Sequence, residues 1–105
     1  MSELDKLERY LIDKGIKYIR IEKEEKKDAD GYTTQRDWHQ IRVYDENGKE
    51  VWDAVCHKWS YGYEEGLLEI MGEIVRDKDD TVEGHLTAED VIERIEEHEA
   101  EMPLV

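Results

Sequence analysis

The chain has few of the residues that disulfide-bonded and membrane-spanning proteins require. Its single cysteine, Cys56, cannot form a disulfide within the chain, which is typical of proteins in a reducing cytosol. No segment approaches the roughly 20 consecutive apolar residues of a membrane span. The first five residues, MSELD, are too polar to open a signal peptide. We therefore expect a soluble, cytoplasmic protein that has no membrane partner.

Basic residues are scarce and unevenly distributed. The chain has 15 Lys and Arg against 29 Asp and Glu, a net charge of −14. Residues 64–105 contain 15 acidic and 3 basic residues, a net of −12, and residues 1–63 contain 14 and 12, a net of −2. Nucleic acids and anionic membranes bind proteins through Lys and Arg, so direct binding to either is not expected. The asymmetry predicts an acidic face that suits a basic protein partner.

The length of 105 residues suits one domain that folds without covalent cross-links. At its start, Ser2 and Asp5 have the spacing of a capping box. Leu4, Leu7 and Leu11 then form an apolar stripe, and Gly15 suits a left-handed helix end. We predict a helix over residues 3–14.

Three β-strands are predicted next, over residues 16–24, 38–45 and 49–57, because these segments are rich in β-branched and aromatic residues. The polar segment 24–34 contains Asp30-Gly31 and is predicted to form a hairpin tip. Asn47-Gly48 is the strongest hairpin signal in the chain. Together these segments predict an antiparallel meander.

Two registers fit the hairpin at Asn47-Gly48. A two-residue turn pairs Val43 with Trp52, Ile41 with Ala54, and His39 with Cys56. A type I turn that begins at Asp45, with Gly48 as a bulge, pairs Asp45 with Lys49 and Val43 with Val51. We favour the second register, which gathers the aliphatic side chains on one face and leaves the other face to Trp38, Tyr44, Trp52, Ala54 and Cys56.

Two further helices are predicted in the acidic part of the chain. Over residues 63–76, the apolar residues fall at helical spacing. Residues 77–85 are predicted to form a charged loop. Thr87 and Asp90 have capping spacing, and the inner side of the last helix is predicted to carry Val91, Ile92, Ile95 and Met102 before Pro103 ends it. The prediction is therefore a single α+β domain over residues 1–105, of order α-β-β-β-α-α, with the helices packed on one face of a three-stranded antiparallel meander.

The predicted partner-binding residues lie on two surfaces. An open sheet face that carries Trp38, Tyr44 and Trp52 would suit a protein partner or a second copy of the chain. The outer side of the last helix offers a second surface. Its candidate carboxylates are Glu93, Glu96 and Glu97.

Residues 79–90 can be aligned with the EF-hand loop, with Asp79, Thr81, Glu83 and Asp90 at positions 1, 3, 5 and 12. The match is imperfect, because a threonine replaces the usual ligand at position 3 and Asp90 is short for the bidentate role at position 12. The alternative is an ordinary loop whose Thr87 and Asp90 cap the next helix. We assign no metal site and no cofactor.

A cysteine–histidine pair is the remaining chemical candidate. In the less favoured register, His39 is the direct neighbour of Cys56, and an imidazole can activate a thiolate. No third orienting group or oxyanion loop is evident, so a buried cysteine that serves as a small hydrophobe is the favoured interpretation. We expect no catalytic residues and no enzymatic activity.

Residues 52–72, WDAVCHKWSYGYEEGLLEIMG, resemble small uncharacterised proteins of phages and mobile elements of Gram-positive bacteria. The resemblance covers about a fifth of the chain and implies no activity or site residue. The sequence thus indicates an acidic binding protein, and nucleic-acid mimicry is one version of that function. A divalent-cation-binding helix-loop-helix protein or a small Cys/His enzyme is the alternative.

Overall fold

A computed structural model describes residues 1–77 and 79–101, and this part of the chain forms an α+β fold with two α-helices and seven strands. The elements follow in this order: α1 Glu3–Lys14, β1 Tyr18–Lys23, β2 Lys26–Lys27, β3 Thr33–Gln35, β4 Trp38–Tyr44, β5 Glu50–His57, a one-turn 3-10 helix Tyr63–Glu65, β6 Leu68–Gly72, β7 Val82–Leu86 and α2 Ala88–Glu101.

Helix α1 confirms the prediction for residues 3–14. The Ser2 hydroxyl accepts a hydrogen bond from the Asp5 amide, and the Asp5 carboxylate accepts one from the Ser2 amide. Gly15 ends the helix in the left-handed conformation, with a φ of 70°. The capping box and the terminal glycine therefore fix both ends of the helix.

The main sheet has five antiparallel strands in the order β1-β4-β5-β6-β7, and β2 pairs with β3 in a separate small hairpin. The three predicted strands are β1, β4 and β5. The prediction missed β6 and β7, so the order α-β-β-β-α-α is wrong in its second half.

The predicted helix over residues 63–76 is not formed. Gly66 and Gly72 both have positive φ values, 72° and 106°, which a continuing helix does not tolerate. Between them, Leu68 and Ile70 alternate into the core, and each is no more than 1% exposed. The apolar residues have helical spacing, but the segment between the glycines is short enough for a strand with period two.

The predicted charged loop contains strand β7, which pairs with β6 at the edge of the sheet. The last predicted helix is confirmed as α2. Asp90 accepts a hydrogen bond from the Thr87 amide, and Thr87 accepts one from the Asp90 amide. Across the fold, the Glu3 carboxylate accepts a hydrogen bond of 2.8 Å from the Ala88 amide, which ties the two helix starts together. Met102 and Pro103 lie outside the described residues.

The β4–β5 hairpin combines features of the two predicted registers. Its turn is the favoured one, because Gly48 is left-handed and Asp45 pairs with Lys49. A second irregularity follows at once, since Tyr44 pairs with Glu50 but Val43 pairs with Trp52. Val51 is the extra residue, and beyond it the strands follow the register that we did not favour. The bulge directs Trp52 into the core, so it is only 5% exposed.

Both helices pack on the same face of the sheet. The core cluster joins Leu7 and Leu11 of α1 to Val91 and Ile95 of α2, and to the inward residues of four strands: Ile41, Val43, Trp52, Ala54, Leu68, Ile70 and Leu86. Side chains alternate along a strand, so the other residues of these strands lie on the opposite face of the sheet, and neither helix of the described residues packs there.

Candidate functional site

The open sheet face carries two of the three predicted aromatic residues. Trp38 and Tyr44 alternate with the inward Ile41 and Val43 along β4, so they lie on the open face and are partly buried. Trp52 belongs to the core on the other side. The prediction that these three rings share one exposed face is therefore wrong for Trp52, because the Val51 bulge reverses its direction.

A hydrogen-bonded chain occupies the centre of the open face. The Trp38 ring stacks on His57 with 4.2 Å between centroids, and its Nε1 donates to Gln40 Oε1 at 3.0 Å. Gln40 Nε2 donates in turn to Asp53 Oδ2 at 2.7 Å. Burial raises the pKa of Asp53, and the bond from Gln40 opposes that effect. The open face is thus not a continuous apolar patch, because a chain of hydrogen-bonded polar groups runs across its centre.

The three acidic candidates on α2 differ in their surroundings. Arg76 binds two of them, with Nη2 at 3.0 Å from Glu93 Oε1 and at 2.6 Å from Glu97 Oε1. The hydrogen bond from Arg76 holds the pKa of Glu97 below its ordinary value. Glu96 is exposed and makes no salt bridge with any described residue. Only Glu96 among the three therefore presents an uncompensated charge.

Two other carboxylates on α2 are available to a partner, as we predicted for Glu93 and Glu97. Glu89 and Glu99 are exposed and form no salt bridge within the described part of the chain. The sequence does not show which carboxylates of α2 are paired with an arginine. Arg76 reaches Glu93 and Glu97 because it follows strand β6, and a helix was predicted in place of that strand.

The EF-hand alignment of residues 79–90 is contradicted by the structure. An EF-hand loop lies between two helices, but here β6 precedes the segment and β7 lies within it. Glu83 binds Arg94, Asp90 caps α2, and Thr81 and Asp79 are exposed. Within residues 1–77 and 79–101, no three His, Cys, Asp or Glu side chains are grouped so that they could hold a metal ion.

The structure does bring His39 and Cys56 together as direct antiparallel partners. Both line a cavity of about 250 Å³ between the start of α1 and the sheet. Its wall also contains Leu4 and Leu68 from the core and the paired ions Arg20 and Glu22.

The electrostatics of this cavity oppose thiolate chemistry. His39 Nδ1 contacts Glu22 Oε2, and His39 Nε2 lies 3.0 Å from Asp37 Oδ1. With a carboxylate at each nitrogen, the imidazole has no free lone pair with which to deprotonate Cys56. Burial, with a smaller effect of the Asp37 charge, raises the pKa of Cys56. The pair therefore lies side by side without the geometry of a nucleophile and its base.

The loop after β5 holds two exposed aromatic residues that were not among the predicted partner-binding residues. Trp59 is 64% exposed and Tyr61 is 60% exposed. Both line a shallow pocket of about 230 Å³, together with Glu64, Glu65 and His85. The sequence signal that could have identified them is the run WSYGY, which has three aromatic residues in five positions directly after a predicted strand.

No protein-family model, curated protein or solved structure matches this chain. Neither α1 nor α2, the two α-helices of the described residues, is long and apolar enough to cross a membrane.

Proposed function

We propose that the protein is a non-enzymatic binding protein and that the outer side of α2 engages a basic surface on a protein partner. The observation that carries the proposal is a set of exposed carboxylates on this helix without a salt-bridge partner. Glu89, Glu96 and Glu99 are exposed and form no salt bridge with any described residue. Carboxylates left unpaired in this way steer a basic partner and select against acidic ones.

The arginines of the same region do not offset these charges. Arg94 is directed inward to Glu83, with 2.6 Å between Nη2 and Oε2, and Arg76 bridges Glu93 and Glu97. Glu93 and Glu97 thus set the position of Arg76, and Glu96 is available to a partner. A mimic of nucleic acid that occupies a basic groove is one form of this function.

The experiment compares two variants of equal net charge. In the first, Glu89, Glu96 and Glu99 become Gln; in the control, Asp13→Asn, Glu24→Gln and Glu46→Gln remove three exposed carboxylates elsewhere. Each protein is immobilised and exposed to host extract at two salt concentrations, and bound proteins are quantified. We expect the α2 variant to lose a basic, salt-sensitive partner that the control retains. Equal capture by both variants would contradict the proposal.

Self-association through the open sheet face is a second proposal. Trp38 and Tyr44 lie on this face, as do Ile19 of β1 and Met71 of β6, which are both more than 40% exposed. The variants Ile19→Glu and Met71→Glu place charges there without touching the core. If the face associates, wild type forms a dimer at high protein concentration and both variants stay monomeric by light scattering. A monomeric wild type contradicts this proposal.

A further inference from the structure

The loop over residues 58–63 displays Trp59 and Tyr61 in a fixed arrangement. The Ser60 hydroxyl accepts a hydrogen bond of 2.9 Å from the His57 amide and donates one of 2.8 Å to the His57 carbonyl. The Ser60 amide also donates to that carbonyl, at 2.8 Å. Ser60 is buried, although the residues on either side of it are exposed. The two rings therefore project from an anchored loop.

Close backbone contacts dock the same loop on β7. A Cβ at Gly84 would overlap the side chain of Tyr61, and a Cβ at Gly62 would lie 2.9 Å from that of Leu67 and 3.1 Å from the His85 Cα. Glycine is thus required at both positions, because a larger residue would push the loop away from the strand.

His85 adds a strained residue to this contact. Its φ is 57°, which makes it the only residue other than glycine with a positive φ in the described part of the chain. Its amide donates to the Tyr61 carbonyl at 3.2 Å, and its ring lies 6.4 Å from that of Tyr61, centroid to centroid. Strained residues persist where the surrounding structure imposes them, and they cluster at functional sites. Here the left-handed residue is the one that contacts the exposed Tyr61 through its amide and its ring.

The pocket between the rings is acidic. Glu64 and Glu65 line it, both are exposed, and neither forms a salt bridge within residues 1–77 and 79–101. Lys58 also lines the pocket, but its Nζ lies 3.6 Å from Glu25 Oε1. Aromatic faces and unpaired carboxylates together are the groups that bind an organic cation.

The fold already contains one such contact. The Arg36 guanidinium lies 4.0 Å from the centroid of the Trp59 ring. This ring therefore accommodates a guanidinium, and because Trp59 is still 64% exposed, a partner's arginine can reach it in competition with Arg36.

We propose that the pocket of Trp59, Tyr61, Glu64 and Glu65 binds a basic side chain of the protein partner, with arginine preferred over lysine. The planar guanidinium stacks on an aromatic face and pairs with a carboxylate at the same time, whereas an ammonium is a point charge. The inference rests on the proposed function, because it supplies an anchor for the basic partner. It places that anchor on the loop after β5 rather than on α2.

Single-stranded nucleic acid also stacks on exposed aromatic rings. The phosphates of such a ligand would meet Glu64 and Glu65 and a protein of net charge −14. The charges of the pocket therefore favour a basic peptide, and the experiment includes an oligonucleotide as the opposing result.

The test is an NMR titration of the full chain with three capped peptides of equal length, built from Gly-Arg, Gly-Lys and Gly-citrulline repeats. Citrulline matches arginine in shape but has no charge. We expect saturable shifts of the Trp59 indole and of the Gly62 and Gly66 amides, strongest with arginine and absent with citrulline. Trp59→Ala should weaken binding about 3- to 30-fold, and Tyr32→Ala, which removes an exposed ring elsewhere, should not.

A charge-matched pair of variants completes the design. Glu64→Gln with Glu65→Gln should weaken arginine binding about threefold or more and reduce its salt dependence. Asp13→Asn with Glu46→Gln removes the same charge and should leave binding unchanged. If both double variants lose arginine binding equally, the affinity depends only on net charge, and the proposed pocket is contradicted.

The remaining outcomes separate this inference from the proposed function. Shifts confined to α2 around Glu89 and Glu96 would overturn the aromatic pocket and leave the acidic α2 surface in place. No shift at any position would count against both. If an oligothymidine binds at Trp59 more tightly than the arginine peptide, the ligand of the pocket is a nucleobase and not a basic side chain, and the inference is overturned.

Discussion

Arg94 of α2 and Glu83 of β7 form a bidentate ion pair at the boundary of the core. Arg94 Nη2 lies 2.6 Å from Glu83 Oε2, and Nε lies 2.9 Å from the same oxygen and 3.1 Å from Oε1. The Arg94 side chain is only 10% exposed. The hydrogen bond from Arg94 lowers the pKa of Glu83, against the opposing effect of burial. This pair anchors the edge strand to the helix.

We expect Glu83→Gln to destabilise the protein by about 1–3 kcal/mol, because it leaves the nearly buried Arg94 guanidinium with only the exposed Glu93, 3.9 Å from its Nη1, as a counter-ion. Glu93→Gln removes a carboxylate that binds the exposed Arg76 and lies 3.9 Å from Arg94 Nη1. It should cost no more than about 0.5 kcal/mol, because the Glu93 side chain is 59% exposed. The double change Glu83→Leu with Arg94→Met should cost less than Glu83→Gln alone. Urea unfolding at neutral pH measures all three, and equal costs for Glu83→Gln and Glu93→Gln would contradict the prediction.

Gly72 distinguishes the strand that forms from the helix that its segment resembles. In an exposed helix, Gly72→Ala would stabilise the protein by about 1 kcal/mol. In the structure, Gly72 has a φ of 106°, and an added Cβ would lie 2.5 Å from the Val51 carbonyl oxygen. We therefore expect a loss of about 2 kcal/mol or more from backbone strain and overlap. Thermal unfolding measures it, and a rise in melting temperature would show that our account of β6 is wrong.

The same segment shows what the sequence could and could not predict. Helix α1 and the capped start of α2 follow from local signals, because a capping box satisfies backbone groups within one turn. The β6 segment depends on a partner, since Leu68 and Ile70 become core residues only when β5 is beside them. A period of two over five residues is too short to exclude a helix when further apolar residues follow at helical spacing.

The prediction of which residues share the open sheet face failed because of a one-residue shift in the register of β5. Asp45 and Gly48 define the turn correctly, but the Val51 bulge follows it and reverses the faces of β5. A local pattern does not reveal such a bulge, because its benefit is the burial of Trp52 against distant helices. The favoured register therefore placed Trp52 on the surface, although it lies in the core. It also separated His39 from Cys56, which the structure pairs directly.

Cys56 should react slowly in the folded protein. Burial and the nearby Asp37 charge both raise the pKa of its thiol, so the thiolate fraction near neutral pH is small. We expect iodoacetamide to alkylate native Cys56 at least about tenfold more slowly than Cys56 in urea-unfolded protein. Mass spectrometry over time gives both rates.

His39→Gln tests whether the imidazole contributes to this reactivity. Since both ring nitrogens of His39 are directed to carboxylates, its removal should not slow the alkylation of Cys56. Slower alkylation of the variant would show that the imidazole activates the thiol and would revive the catalytic interpretation.

His39 also links three parts of the chain through its charge. Glu22 of β1 contacts one ring nitrogen, and Asp37, which accepts a hydrogen bond from the Tyr63 hydroxyl, contacts the other. Burial by itself would lower the pKa of His39, but the hydrogen bond and charge of Glu22, with those of Asp37, outweigh it and raise the pKa above its ordinary value of 6.5. For Glu22, the bonds from His39 and Arg20 outweigh burial and lower the pKa below 4.5.

These two shifts define a pH window for stability. A raised histidine pKa contributes stability in full below 6.5, and this contribution is lost as the pH rises through the folded value. A lowered Glu22 pKa contributes above 4.5 and is lost as the pH falls through its folded value. The His39–Glu22 contact should therefore be strongest between about pH 4.5 and pH 6.5.

We expect His39→Gln to cost about 0.5–1 kcal/mol more stability at pH 6 than at pH 9, a modest figure because the contact is partly exposed to solvent. Urea unfolding at the two pH values measures this difference. An NMR titration gives the direct measurement: the His39 midpoint should lie above 6.5 and fall in Glu22→Gln, whereas Glu50→Gln, with similar side-chain exposure, should leave it unchanged. A wild-type midpoint below 6.5 would mean that burial outweighs the two carboxylates and that His39 is neutral at physiological pH.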